Sequence, residues 1–523
     1  MKRRWREAVV FSAALGLRAV FLAQWSRTPY FLYPQLDDQV HQWWALDILQ
    51  GHLLRGKTFY SSPLYPYLMA LTYKVCGVHP ALILWLQAFL GAATCVILQL
   101  IAARLDDENS GLAAGLAGAA YIPFLYHTGF LLKETLVVFL LAAFSLSALK
   151  TQASRRTRDA LVCGLLLGLT GLARGGSVLV LAPVFLSLLA VGRHIDFRRL
   201  AAAFVLGLCA ALLPTIAHNA SAKDIALISS SNGFAFFVGN NPRANGTMRY
   251  PEGVHSHPFL EERESAAVAE RAEGKPLKPS QVSRYWYGRA LGYIAAEPWG
   301  WTRLTLYKFA LFWNCFELPD DYNMHFIERH TRTALSWPLL SYGWAATWGL
   351  IGLFLAFKGR PEARILAFLG AAYMVSVVIA IVTDRYRLPI VVFLIPFAGV
   401  FLSRLMAARD ARAFRELGRA ALWTAPLWIL CHLPLLRYTA DDESQGWARL
   451  EGVYSDRGDY QGALRAFGNA LSARPESVGE GGFLAAGQAA LNIGDKPGAA
   501  AIYREGARRY PASAELKAKA QAP

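Results

Sequence analysis

The chain has 523 residues, of which 54% are hydrophobic and 17% are charged, and its formal net charge is +16 at pH 7. This composition excludes an ordinary soluble domain and predicts an integral membrane protein. The positive charge does not indicate a nucleic-acid partner, because the basic residues stand in short clusters between apolar runs and do not form one basic face.

Apolar runs long enough to cross a hydrocarbon core of roughly 30 Å recur along the chain. The first run follows MKRRWR and lacks a small-residue cleavage site, so it is predicted to be a retained span. Eleven spans are predicted, at 8–25, 80–103, 111–126, 130–149, 160–173, 176–192, 200–217, 335–357, 364–383, 388–404 and 420–436. The sequence therefore predicts an all-α, polytopic membrane protein with about 11 transmembrane helices.

The clusters of Lys and Arg then fall on one side of the membrane, which the positive-inside rule assigns to the cytoplasm. The opposite side receives a first external loop, 26–79, a large external loop, 218–303, and the chain from 437 onward. The apolar segment 305–320 is short, and a crossing there would place the basic segment 358–364 outside, so we expect an interfacial or re-entrant helix. These assignments favour a bacterial inner membrane protein with a cytoplasmic N-terminus and a periplasmic C-terminus.

The C-terminal segment differs in kind from the rest. From Gln445 the chain is polar and rich in alanine, and two windows match at a shift of 36 residues. This pattern resembles tetratricopeptide repeats, whose small and large residues alternate so that paired helices interlock. We therefore predict a transmembrane domain at 1–436 and a helical repeat domain at 437–523, and we expect two repeats to lean on the membrane domain or on a protein partner, since about three are usually needed for stability alone.

Two adjacent carboxylates, Asp37 and Asp38, stand early in the first external loop, within LDDQVHQWWALDILQG. Such a pair is often a turn or a helix cap. On the external face it could also provide a general base, because repulsion between neighbouring carboxylates raises the pKa of one of them. The pair alone would allow a divalent cation, but the six scattered cysteines and the histidines show no metal-ligand spacing, so no cofactor is predicted to be required.

Further motifs follow in order. FYSSPLYPYLMALTYKVCG comes next, then GFLLKETLVVFLL at 129–141, GLLLGLTGLARGGSVLVLAPV at 164–184 and DRYRLPIVVFLIPFAG at 384–399. In this order the motifs resemble those of the GT-C superfamily of polytopic glycosyltransferases, in particular the dolichyl-phosphate-mannose protein mannosyltransferase-like group and the bacterial aminoarabinose transferases. The chain departs from the family pattern in having Asp-Asp where Asp-Glu is common, Lys133 before Glu134, and His41 near a position often held by Tyr.

The resemblance implies that Asp37, seven residues before Trp44-Ala45, is the catalytic base, with Asp38 orienting the acceptor or binding a cation. A departing lipid phosphate needs cations that donate several hydrogen bonds. The candidates on the external side are Arg385, Arg387, Arg174, Lys133, Arg55, Lys57 and Lys74. Glu134 near the external end of a span could be structural or functional, and Tyr65 and His41 lie inside the matching motifs.

The leading interpretation is an inverting glycosyltransferase that moves a sugar from a polyprenyl-phosphate donor to an acceptor hydroxyl on a protein, a lipid or a glycan. The alternatives are a polysaccharide or lipopolysaccharide ligase or polymerase that uses diphosphate-linked oligosaccharides, a lipid or sugar transporter, and an assembly scaffold built on the repeats. Membrane lipids are expected to surround the spans, and the C-terminal repeats could bind a further protein partner.

Overall fold

A computed structural model describes residues 2–54, 56–175, 180–190, 196–357 and 359–521. The described part is helical throughout and contains no β-strand, only one isolated bridge between Tyr121 and Leu340. The candidate Arg55, parts of the predicted span 176–192 and Lys358 lie outside these residues. The predicted all-α class is therefore confirmed for the part of the chain that is described.

The first half of the chain contains α1 Lys2–Trp25, α2 Leu36–Leu49, α3 Leu64–Cys76, α4 Pro80–Leu105, α5 Glu108–Ala119, α6 Ile122–Tyr126, α7 Glu134–Ser154, α8 Thr157–Ala173, α9 Leu181–Ala190 and α10 Phe197–Ser221. The second half of the membrane part contains α11 Asn232–Gly239, α12 Pro258–Glu273, α13 Pro279–Ala296, α14 Pro298–Trp313, α15 Met324–His330, α16 Tyr342–Ala356, α17 Pro361–Ala380, α18 Asp384–Arg387, α19 Val391–Asp410 and α20 Phe414–Cys431. Short 3-10 turns occur at His127–Gly129, Ala334–Ser336 and Leu388–Ile390.

Six stretches of the described chain are long and apolar enough to cross a membrane by length and composition: Arg4–Trp25, Pro80–Leu105, Glu134–Ser154, Phe197–Ser221, Pro361–Ala380 and Asp384–Asp410. Each coincides with a predicted span to within a few residues. The protein is thus a multi-pass membrane protein, as predicted. The predicted spans 111–126, 160–173 and 335–357 contain interrupted or shorter helices, and the helix that overlaps 420–436 is not among the six.

The predicted span 111–126 shows why a hydropathy run need not be one helix. It breaks after α5, because the main chain at Ala120 and Ile122 bonds to Leu340 instead of continuing the helix. The N–H of Ile122 donates to the carbonyl of Leu340 at 3.0 Å, and the N–H of Leu340 donates to the carbonyl of Ala120 at 2.9 Å.

Helix α14 has 16 residues, which at about 1.5 Å per residue is shorter than a hydrocarbon core.

Small residues let helices of the membrane part approach closely. Gly164 on α8 lies directly against the carbonyl of Phe204 on α10, and Gly207 on α10 lies against the carbonyl of Leu161. A side chain at either glycine would overlap main-chain atoms of the other helix. Such reciprocal contacts are the usual way in which membrane helices gain packing energy without a hydrophobic driving force.

The C-terminal segment contains α21 Ala440–Asp456, α22 Tyr460–Ala473, α23 Glu480–Asn492, α24 Lys496–Arg509 and α25 Ala514–Gln521. Helix α21 packs on α22, and α23 packs on α24. Their shared core contains Phe467, Phe483, Tyr503 and Leu516. Paired helices of this length are consistent with the repeat pattern, and the assignment to tetratricopeptide repeats stays a prediction.

The chain forms two compact units. The first contains residues 1–20, 40–318 and 338–435, and therefore most of the membrane helices. The second contains the C-terminal helices together with residues 21–39 and 319–337. The sequence did not indicate that these two segments group with the C-terminal helices.

Candidate functional site

A buried cluster in the first unit brings together three of the predicted site residues. Glu134 is the first residue of α7, and its side chain is fully buried. Its Oε1 accepts from Arg174 Nη2 at 2.5 Å and from Arg385 Nε at 2.9 Å. We call these three residues the Glu134 cluster. Glu134 and Arg385 are separated by 251 positions in the sequence, so it is the fold that brings them into contact.

The ends of three helices create this cluster. Arg174 directly follows the last residue of α8, Arg385 lies on the four-residue helix α18, and Glu134 opens α7. Arg174 also donates from Nη1 to the carbonyl of Arg385 at 3.0 Å and lies over the ring of Tyr386, 4.7 Å from its centroid. The two guanidinium groups are therefore held in fixed orientations before any ligand binds.

The electrostatics of the cluster favour an anion. The three side chains carry one negative and two positive charges, and both arginines are about 6% exposed. Arg174 Nε is buried without a hydrogen-bond partner among the described residues. A guanidinium N–H that is oriented, buried and unused is suited to an oxyanion.

His127 lies near the cluster on the 3-10 turn before α7. Burial is the largest cause of a pKa lowered from the usual value to about 4, with Glu134 opposing the shift and the charges of Arg385 and Arg174 adding to it. The imidazole is therefore neutral at pH 7 and adds no charge to the cluster.

Arg387, two positions after Arg385, occupies a different environment. Its side chain is 1% exposed and donates to Glu317 Oε2 at 2.5 Å. It also donates to the carbonyls of Asn314 and of Phe316, the latter at 3.1 Å, and its guanidinium lies 3.8 Å from the ring centroid of Tyr342. The structure therefore places Arg387 in contacts that hold the segment after α14, and not in the Glu134 cluster.

His41 and Tyr65 fix the loop that leads into Glu134. His41 Nδ1 lies 3.0 Å from the carbonyl of Leu131, so this nitrogen carries the proton, because a carbonyl can only accept. The ring of His41 meets the ring of Tyr65 at 5.1 Å, and Tyr65 donates to Gln87 Oε1 at 2.7 Å. Gln87 in turn donates to the carbonyl of Phe130 at 2.8 Å.

Of the other predicted cations, Lys133 lies beside the Glu134 cluster, whereas Lys74 and Lys57 lie on the surface. Lys133 immediately precedes Glu134 and interacts with it electrostatically. Lys74 is exposed in the last turn of α3 and forms no ion pair within the described residues. Lys57 pairs with Glu262 at 3.0 Å on the surface.

Asp37 and Asp38 both lie in the first turn of α2, where carboxylates interact favourably with the positive end of the helix dipole. They belong to the second unit. Asp38 is 2% exposed, while Asp37 is half-buried. Burial raises the pKa of the Tyr322 hydroxyl well above its usual value, and the charges of Asp38 and Asp321 add to this shift.

Three residues of these environments were missed by the sequence analysis: Glu317, Tyr322 and Gln87. Glu317 carried a weak signal, since it is a charge that ends an apolar, aromatic segment. Within the described residues, no group of three or more His, Cys, Asp or Glu side chains is arranged to hold a metal ion.

Comparison with known proteins gives one family match. Residues 60–218 match the family model described as dolichyl-phosphate-mannose-protein mannosyltransferase. No curated protein sequence matches the chain. The matched range includes Glu134 and Arg174 of the cluster, together with Tyr65, Lys74 and Lys133.

Two of the solved structures that are similar to this chain have low sequence identity to it. The archaeal oligosaccharyltransferase AglB from Archaeoglobus fulgidus, solved with an inhibitory peptide and a dolichol-phosphate, is 12% identical with a TM-score of 0.48, and the match covers 88% of this chain. This chain spans 60% of the length of that enzyme. ArnT from Cupriavidus metallidurans, bound to undecaprenyl phosphate, is 15% identical with a TM-score of 0.46, and the match covers 98% of this chain and 76% of that one.

Because these TM-scores are below 0.5, no argument is drawn from the structural similarity. The match to the family model is limited to residues 60–218, and over this part of the chain the predicted resemblance to the GT-C glycosyltransferases is confirmed.

Proposed function

We propose that the protein is an inverting glycosyltransferase that moves a sugar from a polyprenyl-phosphate donor to an acceptor hydroxyl. The observation that carries the proposal is the Glu134 cluster. Two of its three residues, Glu134 and Arg174, lie inside the range that matches the mannosyltransferase family model. The donor class is the one whose leaving group, a lipid phosphate, fits buried and oriented guanidinium groups.

The cluster would act on the phosphate as the glycosidic bond breaks. The donor is a phosphodiester with one negative charge, and the departing lipid phosphate gains a second as the electron pair of the bond moves to its oxygen. Arg174 and Arg385 supply donors whose attraction to the phosphate increases along this path, which lowers the barrier. Glu134 fixes the guanidinium groups and offsets part of their charge, so that the product phosphate can leave.

Asp37 is proposed as the general base. Its carboxylate takes the proton of the acceptor hydroxyl while the oxygen attacks the anomeric carbon from the face opposite the phosphate. The configuration at that carbon inverts in a single displacement. Asp38 is proposed to orient the acceptor, which could be a protein, a lipid or a glycan.

The other predicted residues take supporting roles in this scheme. His41 and Tyr65 hold the 127–133 loop and so position Glu134, and Lys133 adds positive charge next to it. Lys74 on the exposed end of α3 is proposed to attract anionic lipid headgroups. Arg387 is proposed to position the helix that carries Arg385.

The distribution of basic residues supports a location for this reaction. We propose a bacterial inner membrane protein in which the N-terminus is cytoplasmic and the first external loop, the large external loop and the C-terminal helices face the periplasm. The reactive bond of a polyprenyl-linked sugar lies at the same membrane surface.

The test is a transfer assay with purified full-length protein in nanodiscs and a panel of polyprenyl-phosphate monosaccharides. Release of polyprenyl phosphate is followed for the wild type and for Asp37→Asn. We expect Asp37→Asn to lose about 10²- to 10⁴-fold in kcat, the range typical of a general base. Asp47→Asn, on the same helix, is the matched control, because Asp47 pairs with His52 at 2.8 Å and has no proposed role.

Full activity of Asp37→Asn would remove Asp37 from the mechanism. If no monosaccharide donor is used and a diphosphate-linked oligosaccharide is, the protein is a ligase or polymerase instead. If no donor of either class loses its sugar, the proposed activity is wrong.

A further inference from the structure

The second unit unites three parts of the chain that are distant in sequence: residues 21–39, 319–337 and 436–523. The first part ends with Asp37 and Asp38 at the start of α2, and the third part consists of the C-terminal helices. A continuous series of contacts leads from α21 through the middle segment to the turn before Asp37.

The first contact in the series is apolar and joins α21 to α15. The ring of Phe326 lies edge-on to Trp447, with 5.3 Å between the centroids. Gly446 lies directly beneath the same ring, and any side chain at this position would overlap it. Helix α15 therefore approaches α21 as closely as the main chain allows.

Polar contacts flank this packing on both sides. Asn323 Nδ2 donates to Asp442 Oδ1 at 3.1 Å. His330 Nε2 lies 2.8 Å from Glu443 Oε1. The middle segment is thus held to α21 at both ends of α15.

The next contact passes from the middle segment to the first part of the chain. The buried hydroxyl of Tyr322, the neighbour of Asn323, accepts the main-chain N–H of Gln35 at 3.0 Å and lies 3.4 Å from the carbonyl of Gln35. The side chain of Gln35 donates from Nε2 to Asp456 Oδ2 at 2.6 Å, at the end of α21. Gln35 is therefore held through its main chain by Tyr322 and through its side chain by the C-terminal helices.

Gln35 directly precedes the residue at which the chain turns into α2. Leu36 has φ +52°, a left-handed conformation that residues other than glycine rarely adopt and that persists only where surrounding contacts impose it. Asp37 and Asp38 follow at once. Leu36 is thus the residue at which the chain turns into the segment that carries both carboxylates.

We infer that the C-terminal helices fix the position of the Asp37–Asp38 turn, with Gln35 as the positioning residue and Asp456 and Tyr322 as its supports. The inference rests on the proposed function, in which Asp37 is the base. It assigns the C-terminal helices a part in catalysis itself, since a displaced base loses rate without losing its chemistry. Anything that bound α21 and moved it would alter turnover at Asp37.

The decisive experiment exchanges the donor and the acceptor of the Gln35–Asp456 bond in the full-length protein. Gln35→Glu opposes two carboxylates and breaks the bond, and the double variant Gln35→Glu/Asp456→Asn restores it with the polarity reversed. We expect Gln35→Glu to lower kcat about tenfold with KM for the donor within about twofold, and the double variant to recover to within about threefold of the wild type. Glu476→Gln, an exposed substitution in the same helical domain, should leave both constants unchanged.

A second measurement does not depend on activity. Amide hydrogen exchange of the peptide spanning residues 30–42 should be faster in Gln35→Glu and return to the wild-type rate in the double variant. Gly446→Leu, which forces Phe326 off α21, should accelerate exchange in the same peptide. If Gln35→Glu does not fold, Asp456→Ala removes the same acceptor from the exposed end of α21.

The two kinds of failure are distinguishable. Exchange rates that are the same in all variants would overturn the inference, whatever the activity. Exchange that responds as expected in a protein that uses no sugar donor would retain the structural coupling and overturn the proposed function. Exchange that responds while kcat of an active enzyme does not would show that the turn is held by α21 but that its position does not limit catalysis, and the inference would be wrong.

Discussion

Two buried carboxylates of the first unit, Glu134 and Glu317, each pair with an arginine of the four-residue helix α18. Glu134 meets Arg385 and also Arg174, whereas Glu317 meets Arg387, whose Nη1 and Nη2 also donate to main-chain carbonyls. Among the described residues, Arg174 Nε in the first environment has no hydrogen-bond partner, whereas the contacts of Arg387 in the second hold the segment after α14. Identical residue types therefore have different surroundings, and only the Glu134 cluster is proposed to bind a ligand.

The largest expected effect on stability comes from breaking the ion pair between Arg387 and Glu317. Glu317→Gln leaves the guanidinium of Arg387 buried without its carboxylate, which costs about 3–5 kcal/mol of unfolding free energy. Thermal unfolding in detergent should show a large loss of stability, and activity should fall with the fraction folded. Replacing both partners, with Arg387→Met and Glu317→Leu, removes both charges and should recover most of the stability. A single variant as stable as the wild type would contradict the structural role.

A smaller loss in stability and a specific loss in rate are expected at the Glu134 cluster. Arg385→Lys retains the charge but loses the planar fork that orients the donors, so we expect kcat to fall about 10²-fold while unfolding changes by less than about 1 kcal/mol. The matched variant is Arg387→Lys, which should instead destabilise the fold. Kinetics and thermal unfolding are measured on the same preparations of both variants. If Arg385→Lys and Arg387→Lys lose rate and stability in the same proportion, the two arginines do not have different roles.

A third carboxylate, Glu451 on α21, extends the comparison because it forms no ion pair within the described residues. Burial raises its pKa from the usual value to about 8. Since the folded-state pKa lies above the unfolded one, the contribution to stability is fully present below about pH 4.5 and is lost as the pH rises toward 8. Glu451→Gln should therefore be clearly more stable than the wild type at pH 9 and nearly equal to it at pH 4. Thermal unfolding of both proteins across this range is the measurement, and a constant difference between them would be evidence against a buried, ionising carboxylate.

The sequence was sufficient for the features that depend on local composition. The six long apolar spans, the acidic pair at the start of a helix and the paired helices at the C-terminus were all visible as periodicity or hydropathy. The sequence did not predict the interruption of the apolar run at residues 120–122. The main chain there forms hydrogen bonds with Leu340, and hydropathy contains no information about such a distant partner.

The candidate residues divide in the same way. The sequence identified Glu134, Arg174, Arg385 and Arg387 as charges at the ends of spans, where a charge is costly unless it has a role. It treated Arg385 and Arg387 as equivalent. Residues two apart on a helix point about 200° from one another, so the two arginines reach different carboxylates.

What the sequence determined by itself is the class of protein, an all-α membrane protein whose motifs resemble those of a glycosyltransferase family, because hydrophobic span length and motif order are properties of the chain. Only the tertiary structure decided which charges meet. Glu134, Arg174 and Arg385 come from three helix ends, and Gln35, Tyr322 and Asp456 come from three distant segments. Contacts over such separations depend on the packing of whole helices, and no local pattern encodes them.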